Sequence, residues 1–80
     1  MEMLRSAAKR VVGTKQVTRA LKAGNAARAY VASDADTFIY QQVVRAAEEA
    51  HVPCVRVETM KELGIVCGVE VPAAAAAVLK

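Results

Sequence analysis

The amino-acid sequence predicts an α/β fold, a three-layer α/β/α sandwich in which helices cover both faces of a four-stranded mixed sheet. Three observations carry this expectation. Short apolar runs alternate along the chain with amphipathic stretches of helical period, the pattern of a sheet packed between helices. The connections between these stretches are only a few residues long, as in a mostly parallel or mixed sheet with helical crossovers. Eighty residues then make a single domain over positions 1–80, because either half alone would bury too little apolar surface to offset the entropy of ordering its chain.

Leu4, Ala7, Ala8 and Val11 recur at helical spacing with charges between them, so residues 2–9 are expected to form a short amphipathic helix. Val11 and Val12 begin a brief strand that Gly13 ends. Thr14 is expected to cap the next helix through its hydroxyl, with Val17, Ala20 and Leu21 as the buried stripe and Gly24 as the stop. Ala29 to Ala32 read as a buried strand, followed by Ser33, Asp34 and Asp36 as capping residues. Ile39, Val43, Ala47 and Ala50 mark the inner face of a third helix; Arg45 and Glu49 lie on its exposed face, and Pro53 prevents continuation. Cys54 to Val57 have the branched composition of a strand. Thr59 can cap a fourth helix carrying Met60, Leu63, Val66 and Cys67, closed by Gly68. Ala73 to Leu79 has helix propensity, but so short and alanine-rich a segment is marginal as a helix. It is assigned as a strand because the sheet needs its last member.

The apolar fraction is 55% with only three aromatic residues, so the core is built from Val, Ala, Leu and Ile in close contact, leaving little room for a ligand cavity. Residues 1–30 hold seven Lys/Arg against Glu2 alone, whereas residues 31–80 hold four against seven acids, together making the net charge of +3. Such asymmetry fits a polyanionic partner, nucleic acid or membrane surface, and also fits a solvated basic helix face. Cys54 and Cys67 belong to no Cys-x-x-Cys or Cys-His cluster, so no metal site is expected. They read as reduced thiols of a cytoplasmic protein. No apolar run approaches the ~18 residues that suggest a membrane span. His51, the sole histidine, has no nucleophile paired with it, and Asp34 and Asp36 are better explained as caps than as a catalytic pair. No catalytic residue is therefore expected.

The informative segment is Gly13-Thr14-Lys15-Gln16-Val17-Thr18-Arg19 with Lys22. Lys15, Arg19 and Lys22 stand at i, i+4 and i+7, which puts three cations on one helix face while Val17 and Leu21 point inward. Lys15 sits in the first turn, where the helix dipole and unpaired N–H groups disfavour a cation but favour a bound anion. A phosphate docked there would use both the helix terminus and Lys15, and the Gln16 amide can donate to and accept from a base edge. An ordinary solvated helix end would carry the same residues.

Four motifs follow in fixed order: Gly-Thr-Lys-Gln-x-Thr-Arg at 13–19, Ser-Asp-Ala-Asp at 33–36, Val-Pro-Cys-Val at 52–55, and Met-Lys-Glu-Leu-Gly-Ile-Val-Cys-Gly-Val-Glu-Val at 60–71. With them the chain resembles the ribosomal L7Ae and L30e kink-turn-binding family, and within it the short bacterial members, over essentially its whole length. The resemblance implies that Gly13 and Thr14 form the turn from which a helix enters a kinked RNA. Lys15, Gln16 and Arg19 then contact tandem sheared G·A pairs, with Lys22 continuing the basic face. Archaeal members carry Asn, Glu and Lys at these three contacting positions, so the present residues lose a carboxylate acceptor. The resemblance also implies that Val69, Glu70 and Val71 lie against a base flipped from the kink, through the valine side chains and the backbone of Val69 and Glu70. Asp36 and Met60 then line that pocket. The expected function is structure-selective recognition and stabilisation of kink-turn RNA by a monomer that needs no cofactor and contacts no membrane. The target is ribosomal or other structured RNA. The alternative is a protein-interaction or regulatory module that uses the basic face.

Overall fold

Strands and helices alternate through residues 9–80, the part of the chain described by the computed structural model: β1 (Arg10–Val12), α1 (Thr14–Lys22), β2 (Ala26–Ala32), α2 (Thr37–Glu49), β3 (Cys54–Val57), α3 (Met60–Cys67) and β4 (Ala75–Leu79). The four strands form one sheet in the order β1-β4-β2-β3. The last strand in sequence lies inside the sheet, antiparallel to both β1 and β2, while β2 and β3 run parallel.

The alternation of side chains along β2 and β4 divides the core in two. Ala29, Val31, Ala75 and Ala77 face Val17 and Leu21 of α1 and Val43 and Ala47 of α2. Tyr30, Ala32, Ala76 and Val78 face Leu63, Val66 and Cys67 of α3. Helices therefore pack on both faces of a four-stranded mixed sheet, as the sequence predicts. The alanines of β4 are fully buried between these layers, and their small size lets the helices approach closely. The segment is a strand because its position in the sheet outweighs its helix propensity.

Several local expectations need correction. The helix expected over residues 2–9 lies outside the described residues except for Lys9, which is in a bend. β1 begins one residue earlier than expected, at Arg10. β2 begins at Ala26 rather than Ala29, and an irregularity in register between Ala26 and Arg28 puts Ala26 on the same face as Ala29. β4 begins at Ala75, because the Ala73 N–H is turned to the Met60 carbonyl at 3.0 Å. On α2 the fully buried stripe is Val43, Ala46 and Ala47, and Ile39 and Ala50, near the helix ends, are only half-buried.

The caps differ in one instructive way. Thr14 does not cap α1; Gly13 is the N-cap, at φ 106°, and no side chain accepts from the first turn. Glycine reaches that conformation without the strain an L side chain would meet. The chain can therefore leave β1 and enter α1 while the Gly13 N–H still donates to the Ala75 carbonyl at 2.9 Å. Asp36 caps α2, accepting from the Phe38 N–H at 2.9 Å, and Thr59 caps α3, accepting from Glu62 N–H at 3.0 Å. Asp34 serves α3 rather than the helix that follows it: its Oδ1 accepts from Met60 N–H at 2.8 Å. The Ser33 hydroxyl donates to the Glu58 carbonyl at 2.8 Å. His51 lies in the turn that closes α2, exposed and at φ 57°. Cys54 is half-buried, Cys67 is buried, and both are free. Burial pushes both thiols above their ordinary value of 9.0, and at Cys67 the nearby Arg10 charge opposes that rise.

Candidate nucleic-acid interface

α1 starts from a bare terminus. Its first helical bond runs from Val17 N–H to the Gly13 carbonyl at 3.0 Å, so the N–H groups of Thr14, Lys15 and Gln16 precede the intrahelical ladder. No side chain caps them and no acid stands in the first turn. Three aligned donors and the positive end of the helix dipole make this terminus suited to an anion or an acceptor-rich base edge. Lys15, Gln16, Arg19 and Lys22 are all exposed, and Lys15, Arg19 and Lys22 line one shallow depression with Thr18 and Ala23. The basic stripe expected from the spacing is thus formed. Thr18 is buried beneath it, and its hydroxyl donates back to the Thr14 and Lys15 carbonyls at 3.0 and 3.2 Å, which satisfies the buried hydroxyl within the helix.

The second expected segment, Gly68 to Pro72, connects α3 to β4. Gly68 adopts a left-handed φ of 76° and closes α3, and the Val69 N–H donates to the Gly64 carbonyl at 3.0 Å. That bond engages the Val69 N–H, so the backbone contacts that the family resemblance implies at Val69 and Glu70 would use the Val69 carbonyl and the Glu70 backbone. The two valines also part ways: Val69 packs partly against the core, whereas Val71 is 65% exposed. Two residues not singled out from the sequence hold this loop in place. A Cβ built on Gly64 would collide with the Val71 carbonyl, so only glycine lets the loop lie this close to α3. The Arg10 guanidinium donates to the Cys67 carbonyl at 3.0 Å, fastening the end of α3 to β1. A glycine inside an otherwise good helix was the available signal for the first; nothing local signals the second.

The sheet brings these segments to one end. Val12 pairs with Ala76, Gly13 bonds to Ala75, and Ala32 N–H donates to the Ala74 carbonyl at 2.9 Å. The N-terminus of α1 and the loop ending at Pro72 therefore flank the same edge. Met60 joins them through its carbonyl bond to Ala73, and Asp34 ties the turn containing Asp36 to Met60. Asp36 itself is engaged as the α2 cap. Ligands of open α/β sheets gather at the carboxyl ends of strands, and β1, β2 and β3 all end here. Among the described residues no cluster of His, Cys, Asp and Glu could hold a metal ion, and no helix is long and apolar enough to cross a membrane.

The model of the ribosomal protein L7Ae/L30e/S12e/Gadd45 family matches residues 1–80. The chain belongs to this family. An "RNA-binding protein" from Geobacillus thermodenitrificans is 51% identical over 79 residues, covering 99% of this L7Ae-family chain and 96% of its own. RNA-binding protein YbxF from Geobacillus stearothermophilus is 49% identical with the same coverage. Among solved structures, the Giardia lamblia 15.5kD RNA binding protein superposes with a TM-score of 0.85 at 27% identity, covering 99% of this chain and 72% of its own. The fold of this L7Ae-family member is thus shared across wide sequence divergence, and its relatives are RNA-binding proteins.

Proposed function

We propose that this protein recognises and stabilises a kink-turn in ribosomal or other structured RNA, acting as a monomer by binding alone. The observation that carries the reading is the convergence of the uncapped, basic N-terminus of α1 and the loop ending at Pro72 on one end of the sheet. The Thr14, Lys15 and Gln16 amides and the Lys15 ammonium meet the tandem sheared G·A pairs. Gln16 supplies a neutral donor and acceptor for a base edge, Arg19 joins Lys15 and Gln16 at those pairs, and Lys22 takes a flanking phosphate. Exposed Val71 offers an apolar surface to the base extruded from the kink, with the Glu70 backbone beside it and Met60 behind. Because these two surfaces are fixed relative to one another, only a bent RNA satisfies both. Binding energy is thereby converted into a population shift toward the kinked form. Names of relatives support RNA as the ligand class; the geometry favours a bent one.

The test is affinity for a kink-turn RNA against an equal-length plain duplex, for wild type and Gln16→Ala. Wild type should prefer the kinked RNA strongly. Gln16→Ala should lose about 1–3 kcal/mol on kinked RNA, the scale of a base contact, with duplex binding nearly unchanged because no charge is removed. Equal affinities of the wild type for both RNAs would leave the basic face to a protein partner instead.

A further inference from the structure

The helices α1 and α2 leave a groove of about 290 Å³ between them, lined by Thr18, Lys22, Phe38, Gln41, Gln42 and Arg45. Thr18 and Lys22 also line the depression formed by Lys15 and Arg19, so the groove opens directly from the basic face of α1. Phe38 is the unusual member. The chain has three aromatic residues; Tyr30 is buried and Tyr40 packs partly against the core, but Phe38 is 73% exposed. Packing does not require it there, because α2 faces the sheet through Val43 and Ala47, on the far side of the helix from Phe38. An exposed ring costs hydration free energy unless something covers it.

We propose that this groove is a second RNA subsite that takes an unpaired nucleotide extending from the bound RNA, with its base stacked on Phe38, its edge hydrogen-bonded by the amide of Gln42, one turn further along the same helix face, and its phosphate between Lys22 and Arg45. The proposal rests on the RNA reading above and adds a ligand class to it: RNA with single-stranded nucleotides next to the folded element. An aromatic face combined with amides and guanidinium groups is the combination proteins use for splayed, single-stranded bases. The volume is at the lower end for enclosed small-ligand sites, roughly 300 Å³, which suits one nucleotide. A partner helix is disfavoured because helix-in-groove docking needs a row of apolar anchors, and here the apolar lining is Phe38 with the small Ala46. Glu49 carries the one acidic charge of the lining and shares the adjoining depression with Lys22 and Ala46, so it turns phosphate away from that end of the groove.

The experiment compares a minimal kink-turn RNA with the same RNA carrying a short single-stranded overhang at either strand end, by fluorescence anisotropy at one salt concentration. Wild type should bind one of the overhang RNAs about fivefold to tenfold more tightly than the minimal RNA, the lower part of the range for one stacked base. Phe38→Ala and Gln42→Ala should abolish that gain while leaving affinity for the minimal RNA unchanged, and Phe38→Tyr should keep it. Both positions are exposed, and circular dichroism would check that each variant remains folded. Absence of any overhang gain, or a gain that survives both alanine substitutions, overturns the proposal and leaves the groove to a protein. Failure of the kink-turn reading looks different: wild type would then bind kinked and duplex RNA alike, whatever the overhang does.

Discussion

Gly64 shows how much one hydrogen atom in place of a methyl group can decide. At an exposed helix site, Gly→Ala stabilises by about 1 kcal/mol through backbone entropy. Here the added Cβ meets the Val71 carbonyl, a backbone atom, so the sign should reverse. Gly64→Ala is expected to destabilise by about 1–3 kcal/mol, the usual cost of overpacking, and to weaken binding of kinked RNA by displacing Val71. Urea denaturation and an RNA titration check both effects; a variant as stable as the wild type or more so would mean that the loop does not lie against α3 as described. Lys15, Gln16 and Arg19 were legible from spacing and motif alone, because a helix of known phase fixes which residues share a face. Gly64 and Arg10 were not, since their importance comes from the chain that lies against them, Val71 and Cys67 respectively.

At the scale of elements, most boundaries follow from local chemistry: Asp36 and Thr59 begin helices and Gly68 ends one, as expected. The exceptions arise where two elements share a group. Gly13 both closes β1 and starts α1, so Thr14 has no capping role, and Asp34 reaches forward in sequence to Met60 rather than to the helix next to it. β4 is the sharpest case. Its alanines have poor strand propensity, yet Ala77 is fully buried against Val17, Leu21 and Val43. Ala77→Val therefore sets propensity against packing. Propensity alone would stabilise the strand by up to ~1 kcal/mol, whereas two extra methyl groups in a close-packed layer should cost about 1–3 kcal/mol. Chemical denaturation decides between them, with a net loss expected; a gain would mean that the helices can move away from the sheet at little cost.

For the whole molecule, the charge asymmetry becomes a geometric one. Lys15, Arg19 and Lys22 of α1 line one depression that runs along the helix from the end Gly13 joins to the sheet, and only a few cations can reach phosphates there. The expected plot of log K against log salt is accordingly linear with a slope of about −2 to −5, from ~0.7–0.9 per neutralised phosphate. A flat plot would remove the electrostatic part of the proposed mechanism. The sequence by itself determined the alternating α/β pattern, the phase of each helix, the basic stripe and the ordered motifs of the family, because each of these is written in residues a few positions apart. The tertiary structure alone decided that β4 lies between β1 and β2, that segments some sixty residues apart, such as Gly13 and Ala75, meet at one end of the sheet, and that a groove with an exposed Phe38 opens from the basic face of α1. Strand order and register depend on contacts between distant parts of the chain, whose loop-closure cost and packing gain are set by the whole core rather than by any local run of residues.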